Sequence, residues 1–464
     1  MDPLCRRDFL IRSGALALSA PASFSSLASF SRAKSRREPA SWLALVEPIR
    51  VASVEEGFAL LARELRAGRS LSELLSAILL AGVQDVQPKP VGFKLHACMV
   101  IESARVLALA SPRGEEALPL FFALYDLKTS QRLDEQEGGW ELGPPPEFEG
   151  LDPKSAAQRW EAALLAADRD EAERCAAAIG RAPVTEASFE PAWIASMRDF
   201  HNVGHKPIYA TQLARMAVRW KEAAAQPLLR TLTMGLLEES EEAPHRSLFE
   251  ANLPRSAAMP AGWEGGTAKT EAAFELLDTL RRASSERAVV RGLELLAAGV
   301  APSSLWTGIL LHASEILLRA PSLLPVHAFT STHAFRHIAR VSQRESTRAL
   351  ALLQALAWAP LYRERLSSLI RPELASRRID DEEARAVAPS SSDRGAKLET
   401  LRRDLLRQMF EHHQLKYAAA LLDEAKLAPP EAAALYVAAA QGYLPAPNEE
   451  PGEITRLARR ALSA

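Results

Sequence analysis

The sequence predicts an all-α protein of paired helices, and three observations carry that prediction. Apolar residues recur at i, i+3, i+4 and i+7 in segment after segment, as in Phe58-Leu61-Leu65 and Phe274-Leu277-Leu280, the spacing that puts one stripe on one helix face. Strand-like alternation of apolar and polar residues is almost absent. The punctuation is helical too: proline often opens a segment and glycine or asparagine closes it, the positions where those residues suit a helix best.

The N-terminus comes first. Arg6-Arg7-Asp8-Phe9-Leu10 carries the Arg-Arg-x-Phe-Leu core of a twin-arginine signal. A short apolar stretch from Gly14 to Ala20 follows, then a small-x-small cleavage candidate at Ala20-Pro21-Ala22. That stretch is too short to span a bilayer. Residues 1–40 are therefore expected to be signal peptide and linker. The twin-arginine translocase is the expected partner during export, and the mature protein is expected to be periplasmic or otherwise exported. The route moves folded chains, and a cofactor inserted before export is one common reason to fold first. No later run of 18 apolar residues exists, so no membrane span is expected in the mature form.

Composition narrows the class further. The chain has 464 residues, 48% hydrophobic and 25% charged, which is ordinary for a globular protein. A net charge of −2 without a basic, aromatic-interleaved stripe argues against nucleic acid as a partner. Only Cys98 and Cys175 follow the signal, too few for a disulfide framework. Both sit in alanine-rich helical patterns where buried free thiols are the rule.

Two recurrences organise the rest. Phe58-Ala-Leu-Leu-Ala-Arg-Glu-Leu leads to Ala81-Gly82-Val83, and Phe274-Glu-Leu-Leu-Asp-Thr-Leu leads to Ala298-Gly299-Val300, an internal duplication at an offset of about 216 residues. Gly82 and Gly299 are both expected to end helices as left-handed caps. The expected domains are a helical half over 41–241, a loop or linker over 242–267 and a second helical half over 268–464. The other recurrence is a histidine near a helix start, a turn, and a returning apolar helix. His96 stands 22 residues before Leu118, His205 and His327 stand 23 before Leu228 and Leu350, and His413 stands at a similar distance before the helix near Ala432. Stacked pairs of this kind make a bundle, toroid or short solenoid. Residues 131–153, 242–267 and 372–396 do not read as regular helix and are longer than ordinary helix connections. They are expected to be lids or disordered excursions.

The histidines are the candidate chemistry. His201-Asn-Val-Gly-His205 and His333-Ala-Phe-Arg-His337 share the spacing His-x-x-x-His, which on a helix puts two imidazoles within reach of one metal ion. His201, His205, His333 and His337 are thus the metal candidates. Gly204 and Lys206-Pro207 suggest that His201 and His205 flank a tight turn instead. His96, His205 and His327 fall near helix N-termini, whose positive dipole end keeps an imidazole neutral. A neutral ring suits metal ligation and acid–base work equally. Tyr209 and Thr330 would face the same region and offer hydroxyls to an oxygenated substrate. His412 and His413 read as surface residues closing an amphipathic helix. Glycine-rich nucleotide loops, Gly-x-Ser-x-Gly, Cys-x-x-Cys and His-Glu-x-x-His are all absent.

Three segments in order resemble the questin oxidase-like family of helical proteins with histidine-rich motifs. They are Lys94-Leu-His96-Ala97, then Phe200-His201-Asn-Val-Gly-His205-Lys-Pro-Ile-Tyr209, then Val326-His327-Ala-Phe-Thr330-Ser331-Thr-His333-Ala334-Phe-Arg336. In the early motif only His96 stands, with Cys98 and Met99 beside it. The resemblance implies an oxidoreductase, with NADPH-dependent oxygen insertion beside a ketone of an aromatic polyketide as the family's reaction. The expectation is a helical shell around an apolar cavity lined by His96, His201, His205, His327 and His333, taking a phenolic or ketone small molecule. The cofactor stays open between a metal ion and NADPH. The competing expectation is a non-catalytic helical-repeat scaffold of the periplasm, and the two differ in whether the histidines converge.

Overall fold

Helix starts follow local chemistry. Ser53 and Ser70 each accept from the backbone N–H three residues on, while Glu56 and Glu73 reach back to them. These two capping boxes satisfy N–H groups that a helix leaves free. Proline occupies the first turn at Pro119, Pro153, Pro227, Pro302 and Pro430, where it removes no intrahelical bond.

The computed structural model describes residues 41–148, 150–238, 245–366, 370, 374–409, 411–446 and 450–464. The twin-arginine motif and its cleavage candidate lie outside the described residues. Three helices open the described chain: α1 (Val46–Val51), α2 (Val54–Arg66) and α3 (Leu71–Asp85). The first histidine-bearing pair follows, with α4 (His96–Met99) and α5 (Ile101–Ala110) nearly continuous before α6 (Leu118–Gln136) returns. Next, α7 (Pro153–Ala166), α8 (Arg169–Ile179) and α9 (Glu190–Ser196) lead to the second pair, α10 (His205–Ala217) and α11 (Gln226–Leu236). After α12 (Arg246–Ala257), α13 (Thr270–Leu280), α14 (Ser285–Ala297) and α15 (Pro302–Arg319) comes the third pair, α16 (Leu323–Val341) and α17 (Glu345–Leu366). Finally α18 (Glu382–Val387) and α19 (Arg394–Gln408) precede the fourth pair, α20 (His412–Leu427) and α21 (Pro430–Ala440), and α22 (Glu453–Ser463) closes the chain.

The protein is all-α, a bundle-like packing of helices; an isolated bridge between Thr267 and Val300 is the only extended pairing among the described residues. The histidine-bearing helices contact one another in a ring: α10 packs on α4, α5 and α16, α16 on α20, and α20 back on α5. Each returning helix (α6, α11, α17, α21) packs on its own partner. One apolar core runs through the described residues, and each large aliphatic side chain buried there contributes about 1.5–3 kcal/mol. Close approach is enforced where α15 crosses α13. A Cβ on Gly308 would stand 2.7 Å from the Ala273 carbonyl oxygen and 3.1 Å from Leu276 Cβ.

Several local expectations change. Gly82 lies inside α3, which runs on to Asp85, whereas Gly299 does take a left-handed φ of 75°. Gly82 packs where a Cβ would meet the Cys98 sulfur at 3.0 Å, so it serves helix packing, not termination. The segment 242–267 contains the helix α12, and 372–396 contains α18 and the start of α19. Burial explains the first: Phe249 and Asn252 are inside, and Asn252 donates to the Gln354 side chain at 2.8 Å. Trp263 is buried as its loop packs down. Cys98 and Cys175 are free and buried, and burial pushes both thiols up. Among the described residues, no helix is long and apolar enough to cross a membrane.

Candidate metal centre

Four turns aim four imidazoles at one point. His96 opens α4 after a tight turn in which Gly92 has φ 114° and Phe93 φ 46°. That turn points the Phe93 carbonyl at the ring, and His96 Nδ1 donates to it at 2.6 Å. Gly92 is required here, because a Cβ would come within 3.2–3.4 Å of the His205 ring. Lys94 fixes the turn from behind, donating at 2.6 Å to both Asp134 and Glu137.

His205 begins α10 after three consecutive left-handed residues, Asn202 (φ 45°), Val203 (φ 52°) and Gly204 (φ 83°). The Asn202 carbonyl thereby accepts from His205 Nδ1, and Tyr362 donates to the Val203 carbonyl at 2.8 Å. A Cβ on Gly204 would stand 2.5 Å from the Tyr362 hydroxyl and would crowd Ser331 and Trp358. His327 sits in the first turns of α16, and its Nδ1 donates to the Leu323 carbonyl at 2.7 Å. His413 stands at the start of α20, with its Nδ1 on the carboxylate of Glu411, which also caps the helix by accepting from Gln414 N–H at 3.0 Å. Left-handed backbone in a non-glycine residue costs on the order of 1–3 kcal/mol. Phe93, Asn202, Val203 and Met409 are four of the six such residues described, and each lies within four positions of one of these histidines. Strain is thus concentrated where the rings converge.

His205 Nε2 lies 3.0 Å from His96 Nε2 and 2.9 Å from His327 Nε2. One nitrogen from each of His96, His205, His327 and His413 falls within 4.8 Å of the others. All four residues are buried. The outward hydrogen bonds decide the tautomer. Each Nδ1–H is committed to a carbonyl or carboxylate, so each Nε2 presents a lone pair. Lone pairs facing at 3.0 Å repel, and a cation between them removes the repulsion. Metal–nitrogen bonds of about 2.0–2.1 Å in a tetrahedron give nitrogen–nitrogen edges of about 3.3–3.4 Å, close to the spacing here. Burial drives all four pKa values below the ordinary imidazole value, His327 to about 3, and the neighbouring Lys416 pushes the same way. The rings are therefore neutral, as ligands must be. Four neutral imidazoles suit zinc, iron, copper or nickel.

Polar side chains gather beside His96 and His413. His412 stacks on His96 with ring centroids 4.2 Å apart, and it faces Asp126 at 3.2 Å and Glu411 at 3.6 Å. Side chains of His412 and Glu411 are each 25% exposed, so this is the side nearest solvent. Lys416 is buried with no hydrogen-bond partner on its Nζ among the described residues, and burial lowers it to about 7.

Of the residues expected to act, His96, His205 and His327 converge. His201 does not: it lies beside Glu238 at 3.3 Å, which also accepts from Val91 N–H, so it braces the turn. His333 is six residues past His327, about 240° around α16 and roughly 9 Å along it. There it donates through Nδ1 to Glu424 at 2.8 Å and accepts from Arg215 at 3.1 Å. His337 packs edge-on to Trp193. Among the four metal candidates named from spacing, only His205 reaches the centre. Thr330 is tied to the Val326 carbonyl of its own helix at 2.9 Å, and the Tyr209 ring packs against Gly235. His413 is the correction in the other direction. It lies in the first turn of α20, is 6% exposed and completes the set. The recurrence of a histidine before a returning helix was its signal in the sequence. Two cavities, of about 350 and 570 Å3, are lined by no histidine. Comparison with protein families, curated proteins and solved structures finds no match to this chain.

Proposed function

We propose that this chain is an exported metal-dependent oxidoreductase of questin oxidase-like type, acting on a phenolic or ketone small molecule. One observation carries the reading: four buried, neutral imidazoles converge on one point, three of them Nε2 to Nε2, while every Nδ1 has its own carbonyl or carboxylate partner. Convergence favours the enzyme over a scaffold, in which the same histidines would serve separate helix ends. Export of a folded chain agrees with a metal loaded before translocation, and the donor set favours a metal over NADPH as the resident cofactor. When bound, a transition metal supplies redox and Lewis-acid chemistry at an oxygenated substrate. His96, His205, His327 and His413 would hold it. The Phe93, Asn202 and Leu323 carbonyls and the Glu411 carboxylate would keep the rings oriented and basic. Burial of the four rings would limit water, and His412 and Glu411, the partly exposed neighbours, would mark the approach.

The test is metal analysis with an absorption spectrum on protein purified after native export. The expected result is a stoichiometric metal that is lost in His205→Ala and His327→Ala and kept in His201→Ala. Wild-type protein that carries no metal and takes up none of iron, copper or zinc would overturn the assignment.

A further inference from the structure

A second site stands apart from the histidine centre. A cavity of about 350 Å3 opens between the start of α15, the later turns of α16 and the first turns of α17, within the size range of small-ligand sites. Its floor is apolar, with Trp263, Trp306 and Leu352 all buried. Its rim is cationic, with Arg336, Arg340 and Arg348 against the single carboxylate of Glu264.

The three guanidiniums are not equivalent. Arg348 is saturated by a two-pronged pair with Glu264 at 2.7 and 2.9 Å. Arg340 is exposed and makes no hydrogen bond or ion pair among the described residues. Arg336 is the informative one. Its side chain is 8% exposed, and one terminal nitrogen is held by the buried carboxylate of Glu424. Its Nε and other terminal nitrogen have no protein acceptor among the described residues, and Arg336 lines the cavity. With one nitrogen fixed on Glu424, the guanidinium keeps further donors with which it can meet an anion. The N-terminus of the 18-residue α15 adds its positive dipole end at Ala301–Ser303, where no side chain caps it.

We propose that this cavity binds a small aryl carboxylate. The carboxylate meets Arg336 and Arg340 at the rim, and the flat apolar body lies against Trp306 and Trp263. Neither half of the site suffices: two guanidiniums alone would take any anion, and two indoles alone would take any flat apolar body. Arg336 lies nine residues past His327 on α16, roughly 13 Å along the helix, so the ligand sits outside the histidine centre and the assignment is independent of it.

Isothermal titration calorimetry of the mature chain with benzoate tests the proposal, with benzyl alcohol and inorganic phosphate as separate probes. Saturable one-to-one binding of benzoate is expected, at least tenfold tighter than either other probe. Arg340→Ala should weaken it tenfold or more while its melting temperature stays at the wild-type value, and Arg340→Lys should recover part of the loss. Absence of saturable benzoate binding overturns the site, as does unchanged affinity in Arg340→Ala. Phosphate binding as tightly as benzoate overturns the aryl class, and benzyl alcohol binding as tightly overturns the carboxylate.

Discussion

His205 is the hub of the histidine centre, because its Nε2 stands 3.0 Å from that of His96 and 2.9 Å from that of His327. His205→Ala removes one of four donors, the one in contact with two of the others. Loss of an outer-shell partner alone weakens metal binding 10–100-fold, so loss of a direct ligand costs at least about 100-fold. At metal 100-fold above the wild-type dissociation constant, the folded state gains about 2.7 kcal/mol. In the variant at the same metal concentration the gain falls to roughly 0.4 kcal/mol. With unfolding entropy near 2 cal/mol/K per residue, a chain of this size has on the order of 0.9 kcal/mol/K at the midpoint. The wild-type melting temperature should therefore rise by about 3 °C with metal, and that of the variant by about 0.5 °C. The variant without metal should melt a few degrees lower on its own account, from the lost packing of a buried ring. Only the metal-dependent increment is diagnostic, and differential scanning calorimetry with and without metal reads it. An equal increment in both proteins would refute the reasoning that these rings are the ligands.

Other consequences are quick to check. Glu411→Gln replaces the one carboxylate that anchors a ligand ring and should weaken metal affinity 10–100-fold; competition with a chelator measures it, and unchanged affinity would remove Glu411 from the centre. Burial lowers His312 to about 3, with Arg363, Arg319 and Arg281 pushing the same way. Its unfolded form takes up a proton first, so it contributes nothing above about pH 6.5 and destabilises increasingly below that, by up to about 1.4 kcal/mol per pH unit down to about 3. Denaturant unfolding of His312→Gln at pH 7 and 5 should show a shallower acid loss than wild type; parallel losses would contradict the assignment. Gly308→Ala should destabilise by about 1–3 kcal/mol by overpacking the α13–α15 crossing, and a neutral result in the same assay would mean that the crossing relaxes.

Much of the architecture was legible because helix signals are local. Stripes such as Phe58-Leu61-Leu65, capping serines and first-turn prolines act within a few residues, and each led to a helix. The pairing of a histidine with a returning helix was legible for the same reason, and all four occurrences became real hairpins. Segments without a clean stripe were harder. Residues 246–257 carry no strong amphipathic pattern, and their helix exists because α17 covers it, with Asn252 bonded to Gln354.

The site divides along a similar line. By itself the sequence determined that the chain is all-α, that a histidine precedes each of four returning helices, and that glycine or proline stands shortly before three of those histidines, His96, His205 and His327. Only the tertiary structure decided which histidines meet. Spacing along one helix favoured His333 with His337, yet four residues on a helix fix only a shared face, not what that face meets. Their face lies against Arg215, Glu424 and Trp193. His413 looked like surface because its neighbours, Glu411, His412 and Gln414, are polar; the closure of α20 onto α5 and α16 buries it. Convergence of His96, His205, His327 and His413 spans more than three hundred residues of chain, and no local rule of helix geometry reaches that far. It is set by how four helices close into a ring.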